Sequence, residues 1–207
     1  DLLRAINIRE VSPSQFLNAT YNEPVFVQLN SPDLYAHPSL EAWDTKHFYH
    51  FHHEYKGQFS GYCGKTDLLI NGIYWTEDLP RLFEVSDTQV PGFVPSVIAD
   101  ISCDVEGSVP ITYKATSIAD PVIGWSRTKL EPCEPYLADS IDVMSVGNLP
   151  NELPKDASEE FGEMLSLHII PALFAAQSRL LEEATITRGG KLTAHFEYLS
   201  DFVQESD

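Results

Sequence analysis

The sequence predicts an α/β chain in which a parallel sheet is wound on both faces by helices, and three observations carry that prediction. Three nearly continuous apolar runs, residues 67–75, 94–103 and 141–146, read as strands buried on both faces. A helix-compatible stretch, residues 79–87, lies between the first two and gives the strand, helix, strand order of such a sheet. After the third, Phe161, Met164, Leu165 and Leu167 to Ile170 fall on one face of a long helix.

Taken in order, residues 1–6 read as the last turns of an amphipathic helix with no cap and no initiator Met before it, so the natural protein is expected to be longer. Residues 7–11, closed by Ser12-Pro13, and residues 24–29 are short strand candidates. Residues 39–59 place Leu40, Trp43, Phe48 and Phe51 at helical spacing, as one helix or two broken ones. Residues 105–139 break the rhythm at Pro110, Pro121, Pro132 and Pro135 and read as an inserted loop or hairpin. Asp156-x-x-Glu159 resembles a capping box, and the helix it opens is expected to kink at Pro171 and run to about Leu181. Residues 184–187 read as a small strand ending at Arg188-Gly189-Gly190, followed by a polar and aromatic tail over residues 195–203.

Composition narrows the function. Against 31 acidic side chains stand 13 Lys and Arg, and the net charge of -18 repels nucleic acid and anionic membrane surfaces. No apolar run approaches the ~20 residues of a membrane span, and no signal peptide opens the sequence. Cys63, Cys103 and Cys133 lack any paired spacing, which fits neither a disulfide framework nor a zinc site and suits a reducing cytoplasm.

In a sheet of this kind ligands bind beyond the carboxyl ends of the strands, so chemistry is sought there. The first run ends in Asn71-Gly72-Ile73-Tyr74-Trp75, where a glycine admits close approach and an aromatic ring can cover a flat heterocycle; an ordinary strand end with core aromatics reads the same way. The second ends in Asp100-Ile101-Ser102-Cys103-Asp104, a hydroxyl and two carboxylates where apolar sequence stops, although Asp100 would equally cap a loop. The third ends in Val146-Gly147-Asn148-Leu149-Pro150, which a simple turn also explains. His47, His50, His52 and His53 lie in an aromatic stretch without cysteine and are read as solvated or packed faces, so no metal is expected. Serine-hydrolase, P-loop and zinc-protease signatures are absent, and so is GxGxxG; in a Rossmann-like domain the first strand and glycine loop would therefore precede Asp1.

Taken together, Leu69 to Trp75, Pro80-Arg81-Leu82, Ala99 to Asp104 with Gly107-Ser108, Asn148-Leu149-Pro150, Leu153-Pro154, Ala157-Ser158, Phe161-Gly162 and Leu165 resemble the lysine–ketoglutarate reductase and lysine-forming saccharopine dehydrogenase family in order and spacing. Ala184 to Thr187 and Phe196-Glu197-Tyr198 continue the likeness, which covers nearly the whole chain. The resemblance places the chain in the alanine dehydrogenase and transhydrogenase superfamily. It implies residues 1–150 as a partial dinucleotide-binding domain and residues 151–207 as a segment returning to an N-terminal substrate domain outside this sequence. It implies nicotinamide cofactor contacts at Tyr74, Ile101, Val146, Gly147, Asn148 and Leu149, and saccharopine contacts at Ser102, Cys103 and Asp104.

The implied reaction interconverts saccharopine with lysine and 2-oxoglutarate at the expense of NAD or NADP. The family's Lys and His acid/base pair belongs to the N-terminal domain, so no catalytic residue is expected here and this stretch alone should not turn over. Where such folds often hold the ribose with an acid, the chain reads Glu10-Val11-Ser12-Pro13, which leaves NAD and NADP both open. The end at Asp207, with no second dehydrogenase following, suggests a monofunctional enzyme. Three alternatives stand beside this expectation: another amino-acid dehydrogenase of the superfamily, a noncatalytic dinucleotide-binding module, and a metal protein built on the histidine cluster.

Overall fold

A computed structural model describes residues 2–204, and the chain divides into two compact units between Gly147 and Asn148. Asp1, at the head of the expected helical stub, and residues 205–207, at the end of the expected return segment, lie outside the described residues.

The first unit opens with α1 (Leu2–Ala5), β1 (Arg9–Glu10) and α2 (Pro13–Asn18). Helix α2 starts where Ser12 and Gln15 cap each other's backbone amides and Pro13 supplies a preset φ. Strand β2 (Val25–Phe26) pairs with β1 in parallel. Next come α3 (Ser31–Leu34), β3 (Tyr35–Ala36), α4 (Thr45–Phe51), a 3₁₀ turn at His52–Glu54, β4 (Lys56–Gly57) and α5 (Ser60–Cys63). Asp44 caps α4 by accepting from the Lys46 and His47 amides, so the helix in the 39–59 stretch begins six residues later than its apolar spacing alone suggests.

Four strands follow that share a sheet with β9: β5 (Leu68–Asn71), β6 (Val97–Asp100), β7 (Val122–Ser126) and β8 (Glu131–Cys133), with β9 at Ser140–Met144. The order is β5-β6-β9-β7-β8; β5, β6 and β9 are parallel, whereas β7 and β8 are antiparallel additions. The irregular 105–139 segment thus holds a hairpin laid against β9. Ile98, Ile141 and Val143 project to one face of the sheet and, with Val109, Ile111 and Ile123, form its dry core. Fully burying each such side chain contributes about 1.5–3 kcal/mol.

Two expectations fail here. Residues 79–87 form no α-helix, only a 3₁₀ turn at Val85–Gln89. The Leu79 and Pro80 carbonyls, which a helix would use internally, accept instead from Trp75 Nε1, and the Leu82 amide donates to Ser108. Nor is the first run buried on both faces: Leu68 and Ile70 are 50% and 51% exposed, and Val97 beside them is 44% exposed. The fold is therefore α/β with a mixed five-stranded sheet, and the apolar run of β5 reflects an edge strand whose second face is uncovered among the described residues.

The second unit contains a 3₁₀ turn at Leu149–Glu152, α6 (Pro154–Met164), a π-helical turn at Leu165–Ile169, α7 (Ile170–Phe174) and α8 (Arg179–Ala184). Pro154 sits in the first turn of α6 and Leu153 is its N-cap, so Asp156 and Glu159 are inside the helix rather than capping it. The kink at Pro171 takes the form of the π turn, because proline withholds an amide from the preceding carbonyls. Ala175 is extended, which ends the helix well before Leu181. The strand expected at residues 184–187 falls at β10 (Thr187–Arg188), paired with β11 (Lys191–Leu192) through Gly189 and Gly190 at φ 59° and 76°. Both positions need the left-handed region that glycine alone enters cheaply. A 3₁₀ turn and α9 (Ser200–Gln204) close the described chain.

Candidate functional site

The three strand ends picked out in the sequence become neighbours. Because β5, β6 and β9 are adjacent and parallel, Asn71, Asp100 and Met144 end them along one edge of the sheet. Side chains then tie the loops that follow. Asn71 Nδ2 donates to Asp100 Oδ1 at 2.8 Å and to Ser108 Oγ at 2.9 Å; Thr112 Oγ1 donates to Asp100 Oδ2 at 2.6 Å. All four residues are buried, so each polar atom depends on the others.

Burial pushes the Asp100 carboxyl up from its ordinary range, although the Thr112, Asn71 and Cys103 hydrogen bonds pull it back. At 1% exposure, with its two oxygens taken by Asn71 and Thr112, Asp100 holds loops together and is not itself open to a ligand. Ser102 Oγ donates to the Ile73 carbonyl at 3.0 Å, pinning the Gly72 to Tyr74 turn, and Cys103 Sγ reaches the Val146 carbonyl at 3.2 Å. Cys103 sits at φ 58°, a left-handed conformation costing a non-glycine residue about 1–3 kcal/mol that its neighbours must hold in place. Its thiol is pushed up by burial and then by Asp100 and Asp104, so it is a poor nucleophile.

The expected contact residues divide by what they leave free. Tyr74, 79% exposed, and the exposed backbone of Gly72 and Gly147 stand open at the edge, with nothing within 4 Å of a Cβ on either glycine. Ile101 is exposed, and its amide is held by Asn71 O at 2.7 Å. The Val146 side chain is buried, so this residue can offer only backbone. Ser102 and Cys103 turn their side chains inward, whereas Asp104 is exposed and its carboxylate has no partner among the described residues. Asn148, at φ 55° and ψ 45°, and Leu149 belong to the second unit.

The sequence reading places Ser108 only in the family resemblance and Thr112 only in an irregular stretch, and assigns neither to the Asp100 network. A buried Asp at a strand end must find donors, and two hydroxyls flanking Val109-Pro110-Ile111 were the signal for where they lie.

Beside the edge runs a cleft of about 1280 Å³, walled on one side by residues 24–29 and on the other by residues 66–74. The Asp67 and Asn71 carbonyls accept from β6 and its flanks, so the backbone groups of the alternate residues Leu68 and Ile70 face the other way. By the same alternation, Phe26 O accepts from Val11 and the backbone groups of Val25 and Val27 face away from β1. The aromatic, histidine-rich stretch also reaches the cleft, through Trp43, Phe48 and Tyr49; its histidines pack locally, His47 against Phe51 and the Tyr55 hydroxyl, and His50 on the Lys46 carbonyl. His37, His47 and Glu54 bring ligand-type atoms within 4.8 Å of one another. However, His37 Nδ1 accepts from the Ser39 and Leu40 amides, which puts its proton on Nε2 toward Glu54 and leaves that nitrogen no lone pair for a metal.

Fold and site together define an α/β chain that gathers its open polar groups at the carboxyl edge of parallel strands. The sequence belongs to the family of the α-aminoadipic semialdehyde synthases and lysine-forming saccharopine dehydrogenases. It is 30% identical to the Arabidopsis thaliana α-aminoadipic semialdehyde synthase over 81% of this chain and 15% of that protein. To the mitochondrial synthase of Mus musculus it is 32% identical over 65% of this chain and 17% of that protein. To the NAD(+), L-lysine-forming saccharopine dehydrogenase of Schizosaccharomyces pombe it is 29% identical over 54% of this chain and 28% of that protein. The chain therefore spans less than a third of the length of these relatives. No protein-family model matches it, and among the described residues no helix is long and apolar enough to cross a membrane.

Proposed function

We propose that this chain is the cofactor-binding part of an oxidoreductase that interconverts saccharopine with lysine and 2-oxoglutarate. The observation that carries the reading is the meeting of Gly72 to Tyr74, Ile101 to Asp104 and Val146 to Gly147 on one sheet edge, in a chain whose relatives are named for lysine metabolism.

A nicotinamide dinucleotide, NAD or NADP, is the cofactor, and it supplies or accepts the hydride. The edge suits the nicotinamide end: open glycine backbone at Gly72 and Gly147 admits a flat ring, and exposed Tyr74 and Ile101 can cover it. The pyrophosphate end lacks its glycine-rich turn in this sequence. We place that turn on one further parallel strand seated in the cleft between β2 and β5, whose facing backbone edges are unpaired among the described residues. Glu10, at the position where such folds often hold the ribose, is paired with Arg4 at 2.5 Å.

Asp104 is the group this chain offers the substrate. Its free carboxylate suits the cationic nitrogen of an amino acid, while Ser102 and Cys103 are positioned to contribute backbone. The proton-transferring pair and the rest of the substrate site belong to an N-terminal domain, toward which the helices of the second unit return. Their exposed Phe161, Met164, Leu167 and Ile170 suit that packing.

The test is a spectrophotometric assay on the protein at its natural length, with lysine, 2-oxoglutarate and either NADH or NADPH. Oxidation that requires both substrates supports the reading and names the cofactor. Cofactor binding without oxidation by that substrate pair sinks it.

A further inference from the structure

The loop that carries Asp104 leaves the sheet at Ile101 and folds back against Asp100 at Thr112. Up to Ile101 the chain is held by main-chain hydrogen bonding to β5 through Asn71 O. Beyond that point the ladder stops, and Thr112 closes the loop at both ends. Its carbonyl accepts from the Glu106 amide at 2.8 Å and its hydroxyl donates to Asp100 Oδ2 at 2.6 Å. Thr112 is fully buried and Asp100 nearly so, and no cation among the described residues pairs with that carboxylate. Within the loop the fit is tight: the Gly107 amide donates to Asp104 O at 3.0 Å, and a Cβ on Gly107 would stand 2.5 Å from Asp104 Cβ. A carboxylate this buried, served only by neutral donors, is costly to keep unless it has a task.

We propose that Asp100 and Thr112 are positioning residues: their hydrogen bond fixes the loop bearing Asp104 and so sets where the substrate's ammonium group is held. The inference rests on the functional reading above and deepens it. The two ligands respond separately, because Ile101, beside the cofactor, is fixed by its bond to the β5 backbone, whereas the Asp104 loop depends on bonds beyond the ladder, of which the Asp100–Thr112 contact is the one buried side-chain tie between its two ends.

Thr112→Val removes the hydroxyl at nearly constant volume, and Thr112→Ser restores it. In the protein at its natural length, T112V raises the KM for saccharopine about tenfold, the size expected when a buried charge loses one donor. The KM for the dinucleotide stays within about twofold, and T112S returns the saccharopine KM toward wild type, a rescue that loss of packing alone would not give. Asp100→Asn provides the same readout should T112V fail to fold. An unchanged saccharopine KM in both variants overturns the proposal. So does a parallel loss of both KM values with thermal stability, which would make the contact purely structural. Wild-type protein that fails to turn over saccharopine at all overturns the functional reading instead, and that result is visible before any variant is made.

Discussion

Asn71 Nδ2 stands 2.8 Å from Asp100 Oδ1, so the last residues of β5 and β6 share one buried hydrogen bond. The same nitrogen lies 2.9 Å from Ser108 Oγ and 3.4 Å from Ser102 Oγ, which makes Asn71 the common donor of the strand-end network. Asn71→Leu leaves Asp100 buried and short of a donor. Stability falls by about 2–3 kcal/mol, read from urea unfolding midpoints at constant slope. A loss below about 0.5 kcal/mol would mean that the network is not a structural unit.

The pH dependence of Asp100 has a definite sign. Its folded carboxyl is raised by burial, so between the unfolded value near ~3.9 and the folded one the native state binds more protons than the unfolded state. Stability from this group is therefore full below about pH 4 and is lost as pH rises through the folded value. Asp139 and Glu54 run the other way, being held low chiefly by hydrogen bonds from Ser126 and from His37. Comparing wild type with Asp100→Asn cancels those contributions. The stability of wild type relative to the variant should fall from acid toward neutral pH, and a difference independent of pH would contradict the assignment.

Gly124 tests the antiparallel addition to the sheet. A Cβ there would lie 2.6 Å from Glu134 O and 2.8 Å from Cys133 O, both backbone atoms that cannot step aside. Gly124→Ala destabilises by about 1–3 kcal/mol in thermal or urea melts. Gly72→Ala, with nothing within 4 Å, stays within about 0.5 kcal/mol.

Much of this was legible because strand ends announce themselves. Apolar sequence stopped at Asn71, at Asp100 and near Val146, and the parallel pairing of β5, β6 and β9 sets those stops side by side. What could not be read was which face of β5 is covered, since Leu68 and Ile70 look the same whether or not a neighbour packs on them. The helix expected at residues 79–87 failed for a tertiary reason: Trp75 and Ser108, distant in sequence or outside helical register, claim its backbone groups. The break at Ala175 carried no proline at the break itself and no glycine to mark it.

Cys63 gives a kinetic check on packing. Burial lifts its thiol to about 11, and its Sγ faces Phe59 O. At pH 8 it should react with iodoacetamide about a hundredfold more slowly in the native protein than in urea, with a rate rising about tenfold per pH unit. Labelling followed by peptide mapping reads this directly, and equal native and unfolded rates would contradict the buried placement.

If one sheet edge holds both ligands, both must leave their mark on the same strand ends. Amide hydrogen exchange on the natural-length protein, alone, with NADH or NADPH, and with saccharopine added, measures it. The dinucleotide should slow exchange at Gly72, Ile73, Ile101 and Gly147, and saccharopine should add protection at Ser102, Cys103 and Asp104. Protection confined to the aromatic region around Trp43, His47 and Tyr55, with those strand ends unchanged, would contradict it.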